Sequence, residues 1–302
     1  MSMPGGSMRV SRALAGLVGV LVAFALLAGA KPSTARGQEV TALVNRYVAL
    51  GDSYTAAPLV PRLLPAGGCF RSTGNYPHRV ARALGLAGRR FADVSCSGAR
   101  TVDVTGSQQT PLGGVPPQLR ALTTGTDLVT ISIGGNDFDI FDTVFGRCPT
   151  MRSTDPTGAP CRNATSSHGR NRLVAAAGRT SRRLLRVVRQ VRRRSPHARV
   201  LVVGYPFIVP RHRTCPSRLP LATGDYRFAD RLEHRLNHGL RHAARVTGST
   251  YVDMYAATRG HGICSRRPWV NGQDTIPGRA LAYHPFGAEQ RAVARLVVSR
   301  LR

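Results

Sequence analysis

The sequence predicts an α/β fold built on a parallel β-sheet of five strands. The first observation is that short apolar segments alternate with longer amphipathic segments along residues 41–302. Short apolar runs bounded by turn residues are typical of buried strands, and helices between them are typical of parallel-sheet crossovers. The second observation is that small and polar residues directly follow three of the apolar runs, which is where such sheets carry their sites.

Each predicted strand is an apolar run that ends in turn chemistry. The first, Tyr47–Leu50, is interrupted by Gly51 and Asp52. The clearest, Asp127–Ile133, ends in Gly134-Gly135-Asn136-Asp137. The remaining predicted strands are Phe91–Ser95, Arg199–Val203 and Tyr251–Asp253.

The segments between the strands predict helices. In 171–194 apolar residues recur at helical spacing, and arginines lie largely off that face. We interpret this arginine row as the solvated side of a core helix, with docking on an anionic surface as the alternative. The row comprises Arg182, Arg183, Arg186, Arg189 and Arg193. Further helices are predicted after Asn75, over Pro117–Leu122 and Thr223–Val246, and after His284-Pro285.

Three stretches show little periodicity and are predicted to be irregular. Gly106–Pro117 is polar and carries Pro and Gly, and Phe138–Ser167 has no sustained apolar spacing. The third stretch is Gly260–Arg279.

The amino terminus has the pattern of a cleavable signal peptide. Arg9 and Arg12 precede the apolar segment Ala13–Ala30, which ends in small residues. An uncleaved membrane anchor is the alternative, because the apolar run is near the spanning minimum. We favour cleavage, and therefore expect a signal peptide over residues 1–30, a flexible mature terminus over 31–40, and one domain over 41–302.

Six cysteines lie beyond this signal, an even number that predicts three disulfides in an oxidising compartment. Six cysteines allow fifteen pairings. The order along the chain favours sequential pairing, because each consecutive pair brackets one loop region. The expected disulfides are Cys69–Cys96, Cys148–Cys161 and Cys215–Cys264.

The formal net charge is +28, and Lys31 is the only lysine. Such a charge attracts anionic lipid, cell-wall polymer or nucleic acid. The alternative, which we favour, is a solvated arginine-rich surface that reflects codon bias. Few aromatic residues interleave with the arginines, and we therefore expect no specific nucleic-acid partner.

Polar chemistry gathers at one predicted edge of the sheet. Ser53, Gly98 and Asn136 follow three strands whose carboxyl ends lie on the same side of a parallel sheet. His284 precedes the last helix, and a short loop brings it over that edge. A serine nucleophile, a histidine base and hydrogen-bond donors for an oxyanion are the parts of acyl transfer.

These residues resemble the sequence blocks of the SGNH or GDSL esterases and lipases. The first block is matched by Gly51-Asp52-Ser53, the second by Ser97-Gly98-Ala99, the third by Gly134–Asp137 and the fifth by His284-Pro285. The six-cysteine pattern is similar to that of the secreted actinobacterial branch. The resemblance implies a flavodoxin-like three-layer α/β/α sandwich and carboxylic ester hydrolysis. It also implies an oxyanion hole formed by the N–H groups of Ser53 and Gly98 and the side-chain amide of Asn136.

The position three residues before the histidine departs from the family pattern. Many members carry an aspartate there, but this chain has Leu281. We therefore expect a Ser53–His284 dyad in which the backbone carbonyl of Leu281 accepts from His284 Nδ1. Asp274 is the rival orienting group. A dyad is physically reasonable, because the aspartate of a triad chiefly orients and stabilises the imidazolium.

Other candidates have simpler interpretations. His234, His238 and His242 recur every four residues, but the histidines have no HExxH pattern, and we expect a polar helix face. We expect no metal and no cofactor. Asp52 is expected to hold its turn and Asp137 to fix the Asn136 loop. Trp269 either walls an acyl pocket or belongs to the core.

The function expected from the sequence is a secreted, monomeric serine esterase or lipase that acts on an ester or lipid substrate. An anionic membrane or cell-wall surface is a candidate partner, alongside the favoured interpretation of the arginines as a solvated surface. A carbohydrate O-deacetylase is the alternative enzyme. A non-catalytic cationic surface protein is the alternative outside enzymes, and Ser53, Asn136 and His284 speak against it.

Overall fold

The computed structural model of the chain describes residues 44–65 and 67–302. The predicted signal peptide over 1–30 and the segment 31–40 lie outside the described residues. The strands are β1 Tyr47–Gly51, β2 Phe91–Asp93, β3 Gln108–Thr110, β4 Gly113–Val115, β5 Leu128–Ser132, β6 Ser166–Ser167, β7 Arg170–Asn171, β8 Arg199–Val203 and β9 Thr250–Val252. The α-helices are α1 Ser53–Ala56, α2 Tyr76–Ala83, α3 Cys148–Met151, α4 Pro160–Ala164, α5 Arg172–Arg194, α6 Thr223–Val246, α7 Met254–Ala257 and α8 Gly287–Ser299.

Five strands form the predicted parallel sheet, in the order β2-β1-β5-β8-β9. Strand β1 lies between two partners, and its Tyr47 pairs with Phe91 of β2 and Leu128 of β5. The strand order therefore reverses at β1, and a reversal of this kind opens a crevice at the carboxyl edge of the sheet.

Helices cover both faces of the sheet, which gives three layers. Along β1, Val48 and Leu50 belong to one apolar cluster, which also contains the buried side chains of α5 and α6. Tyr47 and Ala49 belong to a second cluster, shared with α2 and α8. Because successive side chains of a strand point to opposite faces, an apolar run of this length is buried on both sides.

Helix α5 begins and packs as its sequence dictates. The side chain of Asn171 accepts hydrogen bonds from the N–H groups of Leu173 and Val174 and so caps the helix. Gly239 allows α6 to approach α5 closely, since a Cβ at that position would lie 3.1 Å from Ser181 Cβ. The two long helices cover one face of the sheet. No helix within the described ranges is both long enough and apolar enough to cross a membrane.

Two segments predicted to be irregular contain regular structure. Within 106–117, β3 and β4 form an antiparallel hairpin. Within 138–167, residues Asp142–Arg147 form a π-helix that continues into α3, and α4 follows. The two hairpin strands contain no apolar run that would mark a buried strand, and the short helical turns are too short to show a period of 3.6. The predicted helix Pro117–Leu122 is a 3₁₀-helix over Gln118–Ala121.

The six cysteines form the three disulfides expected from their order, Cys69–Cys96, Cys148–Cys161 and Cys215–Cys264. The first joins the loop after α1 to the segment that follows β2. The second joins α3 to α4. The third joins the loop after β8 to the loop after α7.

Candidate active site

The segment after β1 holds Ser53 at the start of a short helix. Asp52 caps α1, with its Oδ1 accepting from the N–H of Tyr54 at 2.9 Å. Gly51 cannot be replaced without strain, because a Cβ there would lie 2.2 Å from Thr55 Oγ1 and 2.6 Å from the carbonyl oxygen of Ser132. The side-chain amide of Gln118 accepts from Gly51 N at 2.8 Å and donates to Gly51 O at 2.9 Å. The backbone before the serine is therefore held on both sides.

Asp52 belongs to a buried hydrogen-bond network. The hydroxyl of Tyr205 donates to Asp52 Oδ2 at 2.5 Å and accepts from the N–H of Gly135 at 2.7 Å. Burial raises the pKa of Asp52 to about 7, although the hydroxyl of Tyr205 and the N–H of Tyr54 both favour the charged carboxylate. Tyr205 thereby joins the turn of Ser53 to the loop of Asn136. The predicted structural role of Asp52 agrees with these contacts.

Gly98 follows β2 in a conformation that favours glycine, with φ of +77°. The carbonyl of the preceding Ser97 accepts from Gln108 Nε2 at 2.8 Å, which ties this turn to the β3–β4 hairpin. Among the described residues, no backbone carbonyl accepts from the N–H of Gly98 or of Ser53. Both N–H groups are thus free to bind an oxyanion.

Asn136 follows β5 in a loop that is fixed by hydrogen bonds of the Asn136 and Asp137 side chains. Its Nδ2 donates to the carbonyl of Ala99 at 3.0 Å, which leaves the second amide hydrogen available. The neighbouring Asp137 accepts from the backbone N–H and the hydroxyl of Thr101 at 2.7 and 2.6 Å. Arg183 of α5 lies 3.6 Å from Asp137 Oδ2. Asp137 therefore fixes the Asn136 loop, as its position in the sequence predicts.

His284 is oriented by a backbone carbonyl, but the predicted carbonyl is wrong. Nδ1 bonds the carbonyl oxygen of Ala282 at 2.6 Å, not that of Leu281. Tyr283 has φ of +61°, and this left-handed turn brings the carbonyl two residues before His284 against its ring. The Leu281 carbonyl accepts instead from the backbone N–H of His284 at 3.1 Å. Because a carbonyl only accepts, Nδ1 carries the hydrogen and Nε2 keeps its lone pair.

Asp274, the rival orienting group, does not reach the imidazole. Its side chain is exposed, and its backbone carbonyl accepts from Asn271 Nδ2 at 2.7 Å. The one hydrogen bond to a His284 ring nitrogen within residues 44–65 and 67–302 is the bond to Ala282. Burial lowers the pKa of His284, and the Ala282 carbonyl opposes this shift in part.

One cleft of about 880 Å³ brings together Ser53, Gly98, Asn136 and His284 at the carboxyl edge of the sheet. Aromatic rings form one wall of it. Phe141 lies 5.5 Å from Phe145 between ring centroids, and Phe145 stacks on Tyr283 at 5.1 Å. A serine, a neutral imidazole, oxyanion donors and an apolar wall in one cleft suit attack on an ester with an apolar substituent.

Other candidates from the sequence lie elsewhere. Trp269 does not line this cleft but stacks on His261, with centroids 4.1 Å apart. Of the two alternatives for Trp269, the structure therefore favours the core, because the indole is partly buried against the apolar cluster of α2 and α8. His234 lies 3.5 Å from Asp230 and against the ring of Tyr255. No group of three or more metal-binding side chains is found in the parts of the chain that the structure describes.

The sequence does not predict the roles of three residues that support the site. Gln118 sits in a 3₁₀-helix far from Gly51 in sequence, and no local pattern indicates their pairing. Tyr205 follows the fourth predicted strand, and its position at a strand end was the available signal. Arg183, interpreted as part of a solvated row, stacks its guanidinium 4.2 Å from the Phe138 ring centre. Spacing alone does not separate such an arginine from its exposed neighbours.

Comparison with known proteins agrees with this geometry. The model of the GDSL-like lipase/acylhydrolase family matches residues 49–288. The chain belongs to this family. This GDSL hydrolase is 39% identical to Lipase 2 of Streptomyces coelicolor over 258 residues, which cover 82% of this chain and 83% of that protein. It is 30% identical to an esterase of Streptomyces scabiei over 248 residues, with 72% of each chain covered.

Two solved structures share the fold over most of their length. Phospholipase A1 from Streptomyces albidoflavus NA297 has a TM-score of 0.64 and 29% identity, covering 85% of this chain and 99% of that one. The extracellular lipase of Streptomyces rimosus has a TM-score of 0.62 and 27% identity, covering 84% and 99%. The GDSL hydrolase is thus a carboxylic ester hydrolase with the three-layer fold, and its relatives lie in the actinobacterial branch that the cysteine pattern predicts.

Proposed function

We propose that this GDSL hydrolase is an exported lipase or esterase in which Ser53 and His284 act as a catalytic dyad through an acyl-enzyme. One observation carries the proposal: the cleft lined by Ser53, Gly98 and Asn136 also holds His284, whose Nδ1 is engaged by the Ala282 carbonyl. The tautomer that follows leaves Nε2 as the proton acceptor.

The reaction proceeds in two acyl transfers. Nε2 of His284 takes the hydroxyl proton of Ser53 as Oγ forms a bond to the ester carbonyl carbon. The negative charge on the carbonyl oxygen is stabilised by the N–H groups of Ser53 and Gly98 and the free amide hydrogen of Asn136. The C–O bond to the alcohol then breaks, and the alcohol leaves with the proton from His284. Water, deprotonated by the same imidazole, releases the acid and restores Ser53.

The cleft favours lipid esters over small acetates. Its wall of Phe141, Phe145 and Tyr283 offers apolar surface on the scale of an acyl chain. The names of two relatives, Lipase 2 and phospholipase A1, support the same substrate class. The aromatic wall distinguishes this proposal from a carbohydrate O-deacetylase, which needs space for a sugar and only an acetyl group.

Export and the molecular surface complete the proposal. Residues 1–30 act as a cleaved signal peptide, and the three disulfides form in the oxidising environment outside the cytoplasm. The mature protein works as a monomer. The full sequence has a formal charge of +28, and loss of Arg9 and Arg12 with residues 1–30 leaves 28 − 2 = +26, which attracts the mature protein to anionic lipid or cell-wall polymer.

Hydrolysis of p-nitrophenyl esters of graded chain length tests the activity. We expect faster turnover of medium and long acyl chains than of acetate. The Ser53→Ala variant should lose roughly four to six orders of magnitude in kcat, because removing a nucleophile removes the whole covalent route. Its thermal midpoint should change little.

Labelling with a fluorophosphonate identifies the nucleophile. The wild type and the control Ser153→Ala, which alters an exposed serine outside the cleft, should both be labelled. The Ser53→Ala variant should not. Labelling that persists in folded Ser53→Ala overturns the assignment, and a wild type with no ester turnover overturns the proposed function.

A further inference from the structure

Exposed apolar side chains lie on the chain segments that border the active-site cleft. Among the residues that the structure describes, five large apolar side chains are exposed. Four belong to the two loops and the short 3₁₀-helix that border the cleft: Leu63, Phe70, Val102 and Leu112. We call these four the apolar rim. Single exposed apolar residues are ordinary on protein surfaces, but a group around one opening indicates an interaction surface.

The β3–β4 hairpin carries the most exposed member of the rim. Leu112 lies at the turn, and its relative exposure is 75%. The preceding residue, Pro111, lines the cleft. Thr110 Oγ1 lies 2.7 Å from the Gly113 carbonyl within the hairpin and 3.0 Å from the Gly67 carbonyl of the neighbouring loop, so its single hydroxyl hydrogen is shared between the hairpin and that loop. The leucine is thus presented on a supported turn beside the cleft.

The neighbouring loop carries two more members. Phe70 lines the cleft directly and is 38% exposed. Leu63 forms an antiparallel bridge with Ser72, which keeps it in the same loop cluster. Val102 lies in sequence between Arg100 and Asp103, both of which line the cleft.

The fifth exposed apolar residue lies at the opposite edge of the molecule. Val246 ends α6, the crossover between β8 and β9. A crossover helix between parallel strands runs antiparallel to them, so its carboxyl end lies where the strands begin. Val246 has the same relative exposure as Val102, 42%, and therefore serves as a matched residue far from the cleft.

We propose that the apolar rim docks the cleft on the surface of aggregated anionic phospholipid, with Leu112 entering the acyl region. This inference rests on the proposed function, because docking delivers an ester to Ser53. The occupant is a lipid surface because the rim residues lie on segments that border a cleft suited to acyl chains, and the formal charge of residues 31–302, 28 − 2 = +26, complements anionic headgroups. Charge draws the protein to the surface from a distance, and the rim selects the face that meets it.

The two contributions respond differently to salt. Screening weakens attraction between separated charges, whereas burial of apolar surface persists. In about 1 M NaCl the screening length is only about 3 Å. Binding to phosphatidylglycerol vesicles at this salt concentration therefore measures the contribution of the apolar rim. Vesicles of phosphatidylcholine carry no net charge, so binding to them measures the contribution of the apolar rim at low salt.

The test compares Leu112→Ser with Val246→Ser by co-sedimentation with phosphatidylglycerol vesicles at high salt. Loss of one buried leucine side chain should lower the partition coefficient of Leu112→Ser by roughly tenfold. We also measure hydrolysis of the vesicle phospholipid and of a soluble short-chain p-nitrophenyl ester. The ratio of the two rates should fall by about the same factor in Leu112→Ser and stay at the wild-type value in Val246→Ser.

Three outcomes overturn the docking proposal. In the first, Leu112→Ser binds vesicles as well as Val246→Ser does. In the second, both variants and the wild type lose all binding at high salt, which leaves charge as the whole attraction. In the third, both rates fall equally in Leu112→Ser with an unchanged thermal midpoint, which makes the hairpin a support for the site. A wild type that binds through Leu112 but hydrolyses neither ester retains the docking surface and overturns the proposed function.

Discussion

Within residues 44–65 and 67–302, no carboxylate forms a hydrogen bond with the imidazole of His284. Its Nδ1 partner is the neutral carbonyl of Ala282, and burial disfavours the protonated ring. In a triad, a neighbouring carboxylate stabilises the imidazolium and raises its pKa. The imidazole of this site is therefore neutral, and competent as a base, at lower pH than a ring beside an aspartate.

This leads to a prediction for the pH dependence of activity. The acidic limb of kcat/KM on a soluble ester should have its midpoint below the ordinary histidine value of about 6.5. Activity should be present above the lowered pKa and be lost as the pH falls through it. The profile of Asp274→Asn should match the wild type, because the Asp274 side chain is exposed and does not contact the ring. A shift of the limb in Asp274→Asn would contradict the dyad, and a limb near pH 7 would point to Asp52.

For single residues, the sequence predicts which side chains line the cleft but not which backbone carbonyl bonds to His284. Ser53, Gly98, Asn136 and His284 carry recognisable neighbours at strand ends and line one cleft. Which carbonyl accepts from His284 Nδ1 depends on the backbone conformation of Tyr283. A tyrosine in the sequence does not predict φ of +61°. The sequence therefore favoured Leu281, one peptide away from the carbonyl that bonds.

Among the elements, the loop after β5 requires a residue without a side chain at position 135. A Cβ at Gly135 would lie 2.2 Å from the ring of Phe141, and the Gly135 N–H donates to Tyr205. The same loop carries Asn136, and Phe141 forms part of the cleft wall. Any displacement of the ring or the loop therefore changes both the oxyanion donors and the acyl wall.

We predict that Gly135→Ala costs about 1–3 kcal/mol of unfolding free energy, as overpacking in a filled interior does. Its kcat should fall at least tenfold because Asn136 moves with the loop. The matched control is Gly178→Ala within α5, where a Cβ meets nothing within 4 Å. Alanine is the better helix former, and the control should be neutral or up to about 1 kcal/mol more stable. Urea unfolding and ester hydrolysis measure both effects, and a fully active, equally stable Gly135→Ala would refute the role of the close contact.

The elements differ in how visible they are in the sequence. The strands of the central sheet are predictable as short apolar runs that end in turn residues, and α5 and α6 are predictable because apolar side chains recur on one face over 23 and 24 residues. The β3–β4 hairpin is not predictable, because its strands Gln108–Thr110 and Gly113–Val115 contain no apolar run, and the π-helix Asp142–Arg147 is too short to show a helical period. These short elements border the cleft, so the sequence predicts the scaffold better than the mouth of the site.

For the whole molecule, buried carboxyl groups couple folding to pH. Glu289 in the first turn of α8 is buried, and burial raises its pKa to about 8, although Gln290 Nε2 donates to it at 2.7 Å. The unfolded value is near 4.3. When the pKa of a carboxyl group is higher in the folded than in the unfolded state, its contribution to stability is fully present at pH values below the unfolded-state pKa. This contribution is lost as the pH rises towards the folded-state pKa. Asp52 acts in the same direction, with its pKa at about 7.

Stability should therefore decrease from pH 5 to pH 8, and Glu289→Gln should flatten that decrease. The pH-dependent part is on the order of a few kcal/mol, since each unit of pKa shift corresponds to about 1.4 kcal/mol. Urea unfolding at pH 5, 6.5 and 8 measures it. The control Asp142→Asn removes a carboxyl group whose side chain is 59% exposed, and it should keep the wild-type slope. An equal slope in Glu289→Gln and the wild type would show that this group does not govern the pH response.

The order of the strands has a further consequence for biosynthesis. Ser53 follows the first strand, whereas His284 lies after the last, next to α8. The ribosome therefore synthesises Ser53 long before His284. The amino-terminal part of a chain can begin to fold during synthesis, but it then lacks the proposed base. Under the proposed assignment the polypeptide is latent until α8 docks beside α2. A prematurely terminated chain that ends before His284 therefore carries the proposed nucleophile without its proposed base, and it should not turn over an ester by this route.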